Sequence, residues 1–350
     1  MLPLVLFAAV MAVQGGGPGA AAAPVALPVA AVLVRGDRTA LVVDLGASAG
    51  KGARSVTVTR DGLPQQASLV PVMSDGLGVA LVVDTSVGGA AMLPAWQSAG
   101  ARFILEAPAA TEAVVIADSA PATVIAGPQR GPSGPVKALT SVPARGARDT
   151  ATALTLAMRQ FPAAAPGRRL VLLYTTGTDA AGEDAGALAA RLRQSGTILV
   201  VVGTAGAAAY WAGTAAATGG FFAPAGDPVV VPALDQVSAV LGSRYLVELP
   251  TPPALPARVA VRVDTGDLTL TGEAMVAAPP APASPSAPDG SLVRAAVVLW
   301  VAVAVLAALI VGAWLMRRRR SRSALVPAAP PVVRGRAAVP GSAREDPPEQ

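Results

Sequence analysis

Apolar positions along this chain follow two different periods. Between residues 75 and 249, short apolar runs alternate with stretches of helical spacing. The stretch Gly78–Gly88 reads G-V-A-L-V-V-D-T-S-V-G. Its Val-rich run predicts a buried strand, ending on Asp84 and followed by a small, hydroxyl-bearing loop. Ala113–Ala117, Arg169–Tyr174 and Gly196–Gly203 read as further buried strands. Shorter ones are expected near Ala122–Ile125, at Phe221-Phe222 and at Arg244–Leu249. Helices are predicted over Ala90–Leu105, Ala151–Phe161, Glu183–Gln194, Tyr210–Thr218 and Pro232–Leu241. This alternation predicts an α/β domain over 75–249, built on a doubly wound, mainly parallel sheet with right-handed crossovers.

The flanks of that domain switch to a period of two. In 25–74, Thr39–Asp44 and Ser55–Arg60 read as strands, and Asp61-Gly62 as a turn. In 251–276, Val259, Val261 and Val263 alternate with Ala260 and Arg262, a turn follows, and Leu268 and Leu270 alternate with threonines. That is a hairpin signal. The two β segments can form one small sandwich into which the α/β domain is inserted, or extend the edge of its sheet. The sandwich is favoured, because insertion is tolerated where termini lie close.

The chain ends are patterned differently again. Leu2–Val13 is apolar and followed by small residues, so 1–22 is expected to be a signal peptide, although no Lys or Arg precedes the run. Residues 277–291 are rich in Pro, Ala and Ser and predict an extended stalk. Ala295–Met316 is uncharged and apolar, long enough to form one C-terminal transmembrane helix, with Trp300 and Trp314 toward its ends. Arg317–Arg320 follow at once and place that end in the cytoplasm. Residues 317–350 read as a disordered, basic tail able to touch anionic lipid heads.

Composition narrows the chemistry. Cys and His are both absent from the 350 residues, which excludes disulfides, Cys/His zinc sites and His-dependent catalytic triads. No enzyme activity is expected. Lys51 and Lys137 are the only lysines among 27 basic residues, a bias typical of a high-GC bacterium, so the Ala and Gly content carries little structural signal. The tail after Met316 has eight Arg against three acidic residues, and so carries the whole net charge of +5. The folded part is neutral, and nucleic-acid binding is not expected. Gly46–Lys51 falls one residue short of a phosphate-binding loop, and Gly52 replaces its hydroxyl residue.

The remaining candidate is the loop after the first α/β strand. A carboxylate and a hydroxyl two residues apart, at the carboxyl end of such a strand, suit a hard divalent cation such as Mg2+ or Mn2+. Asp84 and Ser86 resemble the first segment, D-x-S-x-S, of the metal-ion-dependent adhesion motif in von Willebrand factor type A domains, with Gly88 at the second serine. The T-G-G-F-F stretch, the R-Y-L-V-E-L-P ending and the order of elements resemble that family too.

The resemblance implies the family fold and recognition of another protein through the upper rim of the sheet. It also implies a Thr from a second loop, where this chain has Arg148 followed by Asp149 and Thr150, and an Asp from a third, where it has Thr176, with Asp179 three residues on. A shifted register would bring in Asp149 and Thr150 instead. Either Arg148 replaces the ion beside Asp84, or it is a solvated loop residue. The leading expectation is a membrane-anchored extracellular recognition domain, in adhesion or in assembling a membrane complex. The alternative is a structural subunit with an inert, metal-free rim.

Overall fold

In a computed structural model, residues 25–46, 54–225, 232–266, 268–278, 307 and 310–314 are described. The expected signal peptide, the stalk after residue 278, the tail and the phosphate-loop-like lysine lie outside the described residues. So does most of the expected transmembrane segment, of which residues 307 and 310–314 are helical. Among the described residues, no helix is long and apolar enough to cross a membrane.

The described residues open with six strands: β1 (Val25–Ala26), β2 (Val29–Arg35), β3 (Arg38–Asp44), β4 (Ser55–Arg60), β5 (Leu63–Gln65) and β6 (Ser68–Pro71). The α/β portion follows as β7 (Gly78–Asp84), α1 (Leu93–Glu106), β8 (Glu112–Asp118), β9 (Thr123–Arg130), α2 (Ser133–Ser141), α3 (Thr150–Met158), β10 (Arg169–Thr175), α4 (Ala185–Gln194), β11 (Thr197–Gly203), α5 (Ala208–Ala216), β12 (Phe221–Pro224) and α6 (Pro232–Ser243). Then come β13 (Arg244–Pro250), β14 (Ala257–Asp264) and β15 (Thr269–Val276).

Six strands make the central sheet in the order β12-β11-β10-β7-β8-β9, all parallel except β9. β7, β10 and β11 are buried along their whole length, as a sheet covered on both faces requires. Successive residues feed opposite cores. Val79, Leu81 and Val83 pack with Trp96 and Phe103 of α1, while Ala80 and Val82 pack with Leu154 of α3 and Trp211 of α5. The chain leaves β7 toward β8 on one side and returns to β10 on the other. The strand order therefore reverses beside β7, where open α/β sheets place their ligands.

The flanking segments form two further sheets, β1-β15-β14-β4-β5 and β2-β3-β13-β6. Leu41 and Val43 of β3 and Val247 of β13 share a core with Val259, Val261 and Val263 of β14 and Val58 of β4. This is the sandwich. The other face of β3 and β13 is also buried: Val42 and Leu246 join the α1-side core of the α/β portion. The sequence pattern ends the α/β domain with Arg244–Leu249, but the structure pairs this strand antiparallel with β3 and β6. A parallel-sheet strand and the middle strand of a doubly covered antiparallel sheet have the same apolar signature, which explains the difference. The strand expected near Ala122–Ile125 extends to Arg130, and α2 covers a stretch with no predicted helix.

Candidate functional site

The site grows out of the end of β7. Asp84 is fully buried there. Its Oδ1 accepts from the Ser86 N–H at 3.0 Å and the Ser86 Oγ at 2.6 Å. Its Oδ2 accepts from the Thr176 N–H at 3.2 Å and the Thr176 Oγ1 at 2.7 Å. The short Asp–x–Ser spacing folds the loop back on the carboxylate, as such side chains do in turns. The Ser86 Oγ also accepts from the Gly89 N–H at 3.2 Å, capping a 3₁₀ turn over Val87–Gly89. Gly89 lies so close that a Cβ there would meet Asp84 Oδ1 at 2.7 Å.

Parallel register sets Asp118, the last residue of β8, directly beside Asp84. It too is fully buried. Its Oδ1 accepts from the Asp149 N–H at 2.8 Å, and its Oδ2 accepts from the Thr150 Oγ1 at 2.6 Å, at the start of α3. Burial pushes Asp118 up to about 6, aided by the charge of Asp84 and opposed by those two bonds and by the charge of Arg148.

A second loop closes over both carboxylates. The Arg145 N–H donates to the Thr85 carbonyl at 2.7 Å, the Val87 N–H to Gly146 at 3.0 Å, and the Ala120 N–H to Ala147 at 2.6 Å. Gly146 sits at φ +64°, a backbone that favours glycine. A third loop follows β10. There the Gly177 N–H donates to Thr175 Oγ1 at 2.9 Å, and its carbonyl accepts from Trp211 Nε1 at 2.8 Å.

The predicted residues therefore separate. Asp84, Ser86 and Thr176 form one hydrogen-bonded knot, and Asp149 and Thr150 form a second on Asp118. Gly88 is exposed on the rim. Arg148 is half-buried, with its guanidinium against Gly177; among the described residues it forms no ion pair with Asp84. Asp179 stands apart, accepting from the Gly182 N–H at 3.2 Å within its own loop. Asp118 is the residue that sequence reasoning missed. Its signal was present, because A-V-V-I-A-D closes on a carboxylate just as A-L-V-V-D does.

Oxygen donors alone suit Mg2+ or Mn2+ in type. Their commitments do not suit a resident ion. All four oxygens of Asp84 and Asp118 already accept hydrogen bonds from the loops, and the Gly89 backbone packs against Asp84. The third-loop carboxylate is replaced by Thr176, whose hydroxyl turns inward. Among the described residues, no group of three or more Asp or Glu is placed to hold a metal.

No protein-family model and no curated protein matches the sequence. Solved structures do. A von Willebrand factor type A protein from Catenulispora acidiphila is 13% identical, with 64% of this chain and 73% of that chain covered at a TM-score of 0.42. An aerotolerance-related membrane protein from Bacteroides fragilis is 15% identical, with 47% and 98% covered and a TM-score of 0.40. Proximal thread matrix protein 1 from the mussel byssus, with a zinc-occupied adhesion motif, is 15% identical at a TM-score of 0.39. That match covers 53% of this chain and 49% of the mussel chain, about half its length. These are likenesses only, and the fold stands on its own geometry: the central α/β portion is a six-stranded, mainly parallel sheet with one antiparallel edge strand.

Proposed function

We propose that this chain recognises a protein partner or ligand through the rim above Asp84 and Asp118. One observation carries the reading. Three loops at the strand-order reversal are tied together, the first to the third by the buried carboxylate of Asp84 and the second to the first by backbone bonds at Thr85 and Val87, while Val87 stays 66% exposed. A loop cluster fixed before binding loses little entropy on docking, and an exposed apolar side chain on it is a natural anchor. The rim works without a resident ion, because its carboxylates are already satisfied by N–H and hydroxyl donors. The role is recognition rather than catalysis. In this reading 295–316 anchors the domain as a single membrane span, with the rim outside and the Arg-rich tail inside.

The same closure of the carboxylates favours a second reading, an accessory subunit whose rim is inert. Photo-crosslinking in intact cells separates the two. A crosslinker is placed at Val87 and, as control, at Leu105, which is equally exposed at 64% near the end of α1. An adduct of defined mass from position 87 and none from 105 is the expected result. No adduct at 87, or the same adducts at both, would favour the inert rim.

A further inference from the structure

The face of β3 and β13 that carries Val42 and Leu246 into the α1-side core continues into a cavity of about 330 Å³, between that sheet and the loop before β10. On the sheet side, register sets Ala40, Glu248 and Ser68 side by side, with Arg38 opposite Pro250 and so diagonal to Glu248 on the same face. The facing wall is Ala165 and Pro166. This wall is pinned. Arg35 donates to the Ala164 and Pro162 carbonyls at 2.7 and 2.6 Å, Arg168 Nε donates to Glu248 Oε1 at 3.2 Å, and Gly167 packs on Leu246. Among the described residues, Glu248 Oε2 accepts no hydrogen bond, and no hydrogen bond or ion pair takes up the guanidinium of Arg38 or the carboxylate of Asp37, which also line the cavity. A preformed cleft thus holds unspent groups of both charges.

We propose that this cavity binds a small zwitterion, an amino acid or a short peptide, with its carboxylate on Arg38 and its ammonium on the free oxygen of Glu248. Charge complementarity selects the occupant. Asp37 and Glu248 balance Arg38 and Arg168, so a bare cation would face two arginines and a bare anion two carboxylates, whereas a dipolar ligand answers both signs. A guanidinium meets a carboxylate through two parallel N–H bonds, and pinned walls spare most of the ordering cost. Clefts at the junction of two packed portions are favoured places for small ligands. The loop before β10 lies at the amino ends of the parallel strands, the end opposite Asp84, so this site is independent of the rim reading.

The test follows thermal unfolding of the full chain in neutral detergent against the common amino acids and a set of their dipeptides at millimolar concentration. A saturable rise with at least one of them is expected. The same compound acetylated at its amine, or amidated at its carboxyl, should bind about tenfold or more weakly, because each derivative leaves one charged group of the cavity unanswered. Arg38→Ala should weaken binding about tenfold or more, and Arg38→Lys should restore part of the loss. Arg38 is exposed, so its variants keep the fold, and unchanged unfolding without ligand confirms this. Glu248→Gln should weaken the free amine while leaving the acetylated form unchanged. A panel without a binder, a binder that Arg38→Ala leaves unchanged, or blocked derivatives that bind as well as the free compound would overturn the inference. None of these outcomes touches the rim, which is tested separately at position 87.

Discussion

Asp118 shows how one side chain can hold a site together at a cost. Burial raises its proton affinity from the ordinary 3.8 to about 6, so the folded state binds that proton more tightly than the unfolded chain does. The sign follows directly. The group's contribution to stability is whole below pH 4 and is lost as pH rises through 6, by about 3 kcal/mol in total. Asp118→Asn keeps an acceptor for the Asp149 N–H and offers Thr150 Oγ1 a donor, but carries no charge beside Asp84. The variant should therefore unfold at higher temperature than the parent at pH 7.5, with the gap closing toward pH 4. Thermal unfolding across that range checks it. A variant less stable than the parent at pH 7.5 would mean that the buried charge is itself needed by the loops.

At the scale of elements, Asp84 joins the loops after β7 and β10 and Asp118 joins the end of β8 to the start of α3, and an ion could enter only by reopening those bonds. Thermal unfolding with millimolar magnesium, manganese or zinc should match that in chelator. Binding to the folded state alone would raise stability by about 2.7 kcal/mol at a hundredfold excess over Kd. A saturable rise of that kind would overturn the ion-free rim. Much of this arrangement was legible beforehand. Asp84 and Ser86 announce themselves as a strand end and its turn, and the strands of the central sheet lie where the Val-rich runs put them. For Asp118 the strand-end carboxylate was legible but its place beside Asp84 was not, because side-by-side placement depends on which strands are neighbours. α2 was hidden by its context, since G-P-Q-R-G-P-S-G-P reads as loop while Ser133 to Ser141 still forms a helix. The place of β13 was hidden because burial on both faces looks alike in either kind of sheet.

For the whole folded region, the four-stranded sheet is the common wall of two cores. Val42 and Leu246 face the α/β portion, while Leu41, Val43 and Val247 face the sandwich. Leu246 is fully buried, and Gly167 approaches it closely enough that a Cβ would meet its Cδ2 at 2.7 Å. Neither portion covers its own apolar surface alone. Residues 75–243 expressed by themselves should bind a hydrophobic dye and melt without a sharp transition. The full folded region should unfold in one step, with circular dichroism and tryptophan fluorescence superimposed in urea. Two separated transitions would show that the shared wall does not couple the cores.

The shared wall also sets a timetable. Asp44 of β3 pairs with Arg244 of β13, so neighbouring strands are separated by the whole inserted portion of the chain. During synthesis at roughly 5–20 residues per second, β3 waits about 10–40 s for its partner. Until then its edge is unpaired and one apolar face is bare. Closing so long a loop costs only slowly growing entropy, but it comes late, and pairings distant along the chain are slow to form. The first of the described strands are therefore among the last to be completed.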